Sequence, residues 1–259
     1  MTDESRLPMT CVCGKTVQKR NYDQHCTSKH HVAFVTNDEN QLSSEDLTLH
    51  LTSFLREYDL RSKSTRVRKI VDKYERIDPY TKASLEIAND ETLPTNFDID
   101  HIHEAQILAC AIQHTPGLVT PSSENILALR PLRTVLNDVP NLTVTEASVN
   151  RSKGQAVRYF LNQYETNSEI SLLAVFIQTS KGKERSIAQF ARNIVDVIRE
   201  TSPEMSESIR EIRMENGRVT GASHYETVAE QFDTIIDRMK LDWNERIKLR
   251  NGKIYQAYP

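Results

Sequence analysis

The strongest constraint on the fold is a pair of long apolar stripes at helical spacing in the last third of the chain. Ile187, Phe190, Ala191, Ile194, Val195 and Ile198 recur on one face of a 3.6-residue period, and Tyr225, Val228, Phe232, Ile235, Ile236 and Met239 do so again. Stripes of that width must be covered by other elements, so both segments predict packed helices. Composition agrees: seven glycines in 259 residues leave little turn capacity, and 38% hydrophobic content suffices for a core. Between the stripes, Ser202-Pro203 reads as an N-cap followed by proline at the first helical position, which predicts a helix boundary there. Leu172 to Ile177 is an apolar run that periodicity alone assigns to neither helix nor strand.

Upstream, Leu47, Leu51, Phe54, Leu55 and Tyr58 follow helical spacing, with Ser43 or Ser44 as N-cap. The stretch from Arg61 to Lys69 is the densest basic run (Arg61, Lys63, Arg66, Arg68, Lys69) and leads into a second helix toward Tyr74. Formal net charge is −3, so a nucleic-acid partner has to be met by local patches of this kind. No apolar run approaches the ~18–20 residues that cross a bilayer, and no secretory apolar stretch precedes the cysteines. The expectation is a reducing compartment, cytoplasmic or nuclear, with no membrane partner.

Three of the four cysteines, Cys11, Cys13 and Cys26, crowd the N-terminus beside His25, His30 and His31. So short a unit has too little core to fold without a staple, and four thiolate or imidazole ligands in a tetrahedron are what Zn²⁺ takes. Cys11 and Cys13 supply thiolates from a turn, and His25 with either His30 or His31 supplies imidazoles from a following helix. Eleven residues separate Cys13 from His25; four then precede His30 and five precede His31. Cys26 is a spare thiol. Lys15, Lys19 and Arg20 flank the site and suit phosphate contacts or an ordinary solvated surface. The polar stretch from Thr36 to Gln41 has linker composition.

The segment Phe97-Asp98-Ile99-Asp100-His101 alternates apolar and polar, as a short strand ending at a site does. Asn141-Leu142-Thr143-Val144-Thr145 reads as a second strand. Asn150-Arg151-Ser152-Lys153-Gly154 follows, and then the helical run from Gln155 to Leu161. Asp98 shares a face with Asp100, and His103 is read as structural.

Strand, strand and helix, with Asp-His, Asn and Asn at these points, resemble the HNH (ββα-metal) nuclease family. Eight residues separate Asn141 from Asn150, Asn-Arg-Ser-Lys-Gly follows, and Gln106 stands five residues after His101, as in the HNH domains of CRISPR effector nucleases. Asparagine at 150 makes this an H-N-N variant. The 39 residues between His101 and Asn141 require an insertion, expected to be helical, over Ile107 to Asn137. The N-terminal unit is similar to C-x-C-G fingers of large DNA viruses, a likeness that favours His31 over His30.

The resemblance implies a division of labour that suits phosphodiester hydrolysis. His101 is the general base, and Asp100 and Asn150 hold one Mg²⁺ or Mn²⁺ against the phosphate. Asn141 fixes the loop or carbonyl that orients His101, and Arg151 and Lys153 contact the DNA backbone. The expected architecture is mainly α with a small ββα-metal core. A zinc finger spans 1–35, a helical and partly basic region 43–92, the nuclease core with its insertion 93–166, and a helical region 168–259. The expected function is a metal-dependent endonuclease acting on double-stranded DNA as a monomer or homodimer, of a homing, mobile-element or viral type. The alternatives are a restriction-type enzyme and a non-catalytic zinc-finger DNA-binding protein on the same scaffold.

Overall fold

The structure, a computed structural model, describes residues 8–10, 16–18, 44–57, 60, 64–85, 93–116, 118, 123–164, 176, 184–212, 222–244, 247–250 and 253–256. Cys11, Cys13, Lys15, Lys19, Arg20, His25, Cys26, His30 and His31 lie outside these residues. The flanking strands β1 (Pro8–Thr10) and β2 (Thr16–Gln18) pair antiparallel.

The described chain is mostly helical. Helices α1 (Ser44–Leu55) and α2 (Ser64–Lys73) precede strand β3 (Phe97–His101). Helices α3 (Ala105–Gln113) and α4 (Ser123–Leu136) fill the stretch expected to be a helical insertion. A single 3₁₀ turn (Val139–Asn141) enters β4 (Leu142–Glu146), and α5 (Ala147–Tyr164) follows at once. Helices α6 (Glu184–Arg210) and α7 (Ala222–Asn244) come next, and β5 (Ile247–Arg250) pairs with β6 (Lys253–Gln256). Among the described residues, no helix is long and apolar enough to cross a membrane.

Strands β3 and β4 pair antiparallel with Phe97 opposite Glu146 and His101 opposite Leu142. Phe97, Ile99, Leu142 and Val144 join Val67, Ile70 and Val71 of α2 in a small apolar core. Alternation therefore sends Asp98 and Asp100 to the other face of the ribbon, where α5 packs. A turn after α2 is pinned to β4 by buried Asp78. Its Oδ1 accepts from the Tyr80 and Thr81 amides, and its Oδ2 accepts from the Thr145 hydroxyl at 2.8 Å and the Glu146 amide at 3.1 Å.

The main core draws on every helix except α2. Leu51, Phe54 and Leu55 of α1 meet the mostly apolar α3, where Ile107, Leu108 and Ile112 are buried, together with Leu129 and Leu132 of α4 and Phe160 of α5. The predicted stripes of α6 and α7 close over the same core, joined by Phe176, the one described residue of the Leu172–Ile177 run.

In α6 the sequence expectation is corrected. The helix runs unbroken through Pro203 instead of starting there. Buried Ser202, Met205 and Ile209 carry the stripe of Ile194 and Ile198 onward past the proline. The burial that this extension gains offsets the roughly 3 kcal/mol that an interior proline costs.

Candidate functional site

An open cleft of about 540 Å³ lies where the end of β3, the start of α5 and the end of α1 meet. Asp98, Asp100 and His101 reach it from β3, Asn150 and Arg151 from the first turns of α5, and Arg56 from just past α1. The Asp-His pair and the second asparagine, 49 positions apart in sequence, thus face one space because the antiparallel ribbon folds α5 back over the end of β3. The helix begins at Ala147, earlier than the sequence suggested. Asn150, Arg151 and Lys153 therefore occupy helical positions and not a loop before the helix.

Asp100 is buried, and its Oδ2 accepts from the Tyr80 hydroxyl at 3.0 Å and from Lys153 Nζ at 2.9 Å. Its Oδ1 has no hydrogen-bond partner among the described residues. Burial pushes the carboxyl up to about 7, with the charge of Glu104 adding and Lys153 opposing. Tyr80 stays a hydroxyl donor, since burial and the Asp100 charge drive its pKa well above the ordinary value.

Lys153 overturns the expectation of a DNA-contacting side chain. It is fully buried, with Nζ 2.9 Å from Asp100, 3.1 Å from Glu104 Oε1 and 2.6 Å from the His101 carbonyl. Burial alone would lower its pKa, but the two carboxylates outweigh this and raise it, so it is a fixed internal ammonium. Glu104 bridges onward to Arg56 at 3.2 Å, and Lys153 and Arg56 hold it ionised against its own desolvation. The sequence carried a signal for this: Lys153 falls in helical register with Val149, Ala156 and Phe160, the buried face of α5. Arg151 stands exposed on the cleft wall, and Gln155 and Arg158 continue the same wall.

His101 is buried at the end of β3, with Nε2 2.8 Å from Oδ1 of Asn137. Desolvation lowers its pKa, only partly opposed by the Asn137 hydrogen bond, so the ring is neutral near pH 7. Asn141 fixes, through its side chain, the loop that follows His101. Its backbone carbonyl accepts from the Ile102 amide, its Oδ1 accepts from the His103 amide at 2.8 Å, and its Nδ2 donates to the carbonyls of His103 and Leu136. It clamps the chain that leaves β3 to the end of α4. The residue that touches the imidazole is Asn137, which sequence reasoning passed over.

Gln106 lines the cleft with Nε2 3.5 Å from the Gly154 carbonyl. His103 turns away from it, buried edge-on against Phe232, with Nε2 3.0 Å from the Thr201 hydroxyl. It serves as a strut between the site and the α6/α7 pair, consistent with a structural reading. Arg56, Glu104 and Tyr80 complete the site without having been singled out in the sequence.

The arrangement combines a neutral imidazole, a carboxylate with a bare oxygen, a carboxamide and guanidinium groups around one water-accessible space. It can take a proton from water, hold a hard cation through oxygen ligands and bind an anion. No family model, no curated protein and no solved structure matches the chain.

Proposed function

We propose that this protein is a metal-dependent endonuclease of the HNH type that hydrolyses phosphodiester bonds in DNA. The observation that carries the reading is the convergence of Asp100, His101 and Asn150 on one cleft, with His101 held neutral beside a carboxylate whose Oδ1 is bare. The donor set fits Mg²⁺ or Mn²⁺, which takes oxygen ligands and is bound through one or two carboxylates plus substrate phosphate. Asp100 Oδ1 and the Asn150 carboxamide would hold it. When bound, the ion supplies neutralisation of charge on the phosphate and the leaving oxygen.

The chain's own groups do the rest. His101 accepts a proton from the attacking water, and Lys153 fixes Oδ2 of Asp100 and the His101 carbonyl so that both residues keep their aim. Arg151 and Arg158 line the path of a polyanionic backbone. The Cys/His unit at residues 1–35, as a zinc finger, adds affinity for double-stranded DNA. The long target sites of homing or mobile-element enzymes suit such an accessory unit.

The test is cleavage of plasmid and random-sequence DNA by the full chain with Mg²⁺ and with EDTA. Cleavage should need the metal. His101→Ala should lower kcat by about 10²–10⁴-fold while leaving the Kd for DNA nearly unchanged. Full activity of that variant, or DNA binding without metal-dependent cleavage by the parent chain, would sink the reading. The second of these outcomes would favour a binding protein built on the same scaffold.

A further inference from the structure

We propose that Asn137 is the positioning residue of this site, holding His101 as the Nε2–H tautomer and thereby reserving Nδ1 as the nitrogen that takes up a proton. The neighbours of the Asn137 amide dictate its orientation. Nδ2 of Asn137 donates to the carbonyls of Leu55 at 2.8 Å and Arg133 at 2.6 Å, while Oδ1 receives the backbone amide of Glu57 at 3.1 Å. A flipped amide would set its oxygen against two carbonyls and its NH₂ against an N–H, losing all three bonds. The atom facing His101 is therefore an oxygen, and a carboxamide oxygen only accepts. At 2.8 Å, Nε2 must be the nitrogen that carries hydrogen.

In a neutral ring that leaves the lone pair on Nδ1. This atom has no hydrogen-bond partner among the described residues, and His101 lines the cleft. Asn137 is itself 4% exposed and is anchored in both α1 and α4, so water does not compete for its oxygen and the ring has a fixed reference. Both helices lie outside the strand-strand-helix motif. The segment 55–57 thus enters the site twice, by setting the Asn137 amide and by supplying Arg56.

The kinetic consequence rests on the hydrolase reading, whereas the tautomer does not, and the experiment separates them. Histidine-selective ¹⁵N labelling of the full chain, free of metal and near neutral pH, reads the tautomer and the proton on each ring nitrogen. Free imidazole also favours Nε2–H but exchanges that proton quickly, so slow exchange is the diagnostic feature. The expected spectrum shows His101 Nε2 bearing a slowly exchanging proton and Nδ1 bare. In Asn137→Ala that proton should become fast-exchanging, and kcat should fall about 100-fold with the Kd for DNA unchanged within about twofold. An Nδ1–H tautomer in the parent chain, a proton equally protected in Asn137→Ala, or an unchanged kcat overturns the inference. If the alanine variant does not fold, the parent spectrum still decides the tautomer. A protected Nε2 proton in a chain that cleaves no nucleic acid would support the tautomer and reject the hydrolase.

Discussion

Asp100 is under two opposed demands, since the oxygen proposed to serve a cation must be ionised and its surroundings resist that. Burial raises its pKa from 3.8 to about 7, so across that window the metal-free folded state holds a proton that the unfolded chain has released. Stability from this group is therefore full below the unfolded pKa and lost as pH rises through about 7. Asp100→Asn should remove the loss. Urea denaturation in EDTA should find the variant more stable than the parent chain above that pH and its pH profile flatter. Mg²⁺ should raise the Tm of the parent chain and not of the variant. Lower stability of the variant at alkaline pH would mean that the pairing with Lys153 outweighs desolvation. Asp100, His101 and Asn150 were legible because chemistry and spacing mark them locally. Asn137 and Arg56 were not, since each acts through partners 36 and 48 positions away in sequence. Lysine is by default an exposed residue, so the buried role of Lys153 was hidden by its type.

Among the elements, the ribbon of β3 and β4 was readable from its two-residue alternation, and α1, α6 and α7 from their stripes. The misreading at Pro203 has a specific cause. Ser-Pro is a strong local sign of a helix start, but the next two turns present Met205 and Ile209 on the face already set by Ile194 and Ile198. The Thr201 and Ser202 hydroxyls bond the Val197 and Ile198 carbonyls, keeping polar groups satisfied just before the proline. Interior proline still carries a cost, so Pro203→Ala should stabilise the protein by about 2 kcal/mol in urea denaturation, after the entropy that proline removes from the unfolded chain is discounted. A helix that began at Pro203 would instead lose stability on this change. The early start of α5 was missed for a related reason: Asn150 to Gly154 has the residue types of a loop, yet Val149, Lys153 and Ala156 share a buried face.

At the scale of the molecule, the expected segments 43–92, 93–166 and 168–259 all contribute to one apolar core, which their sequence boundaries do not reveal. Periodicity reports that a face is buried, not what covers it. Helix α3 is buried continuously from Ile107 to Ile112, and α1 and α7 supply its cover. A chain ending at residue 166 should lack a cooperative unfolding transition and bind an apolar dye, as seen by calorimetry and fluorescence. A sharp transition in that shortened chain would show that the first 166 residues fold alone.

The strut from His103 to Thr201 and Phe232 also bears on how the protein comes into being. A ribosome releases His101 well before it releases the helices that cover α3 and brace the residue two positions further on. The nascent chain therefore carries Asp100, His101 and Asn150 before the helices that brace the site exist, and the brace is complete only as α7 emerges.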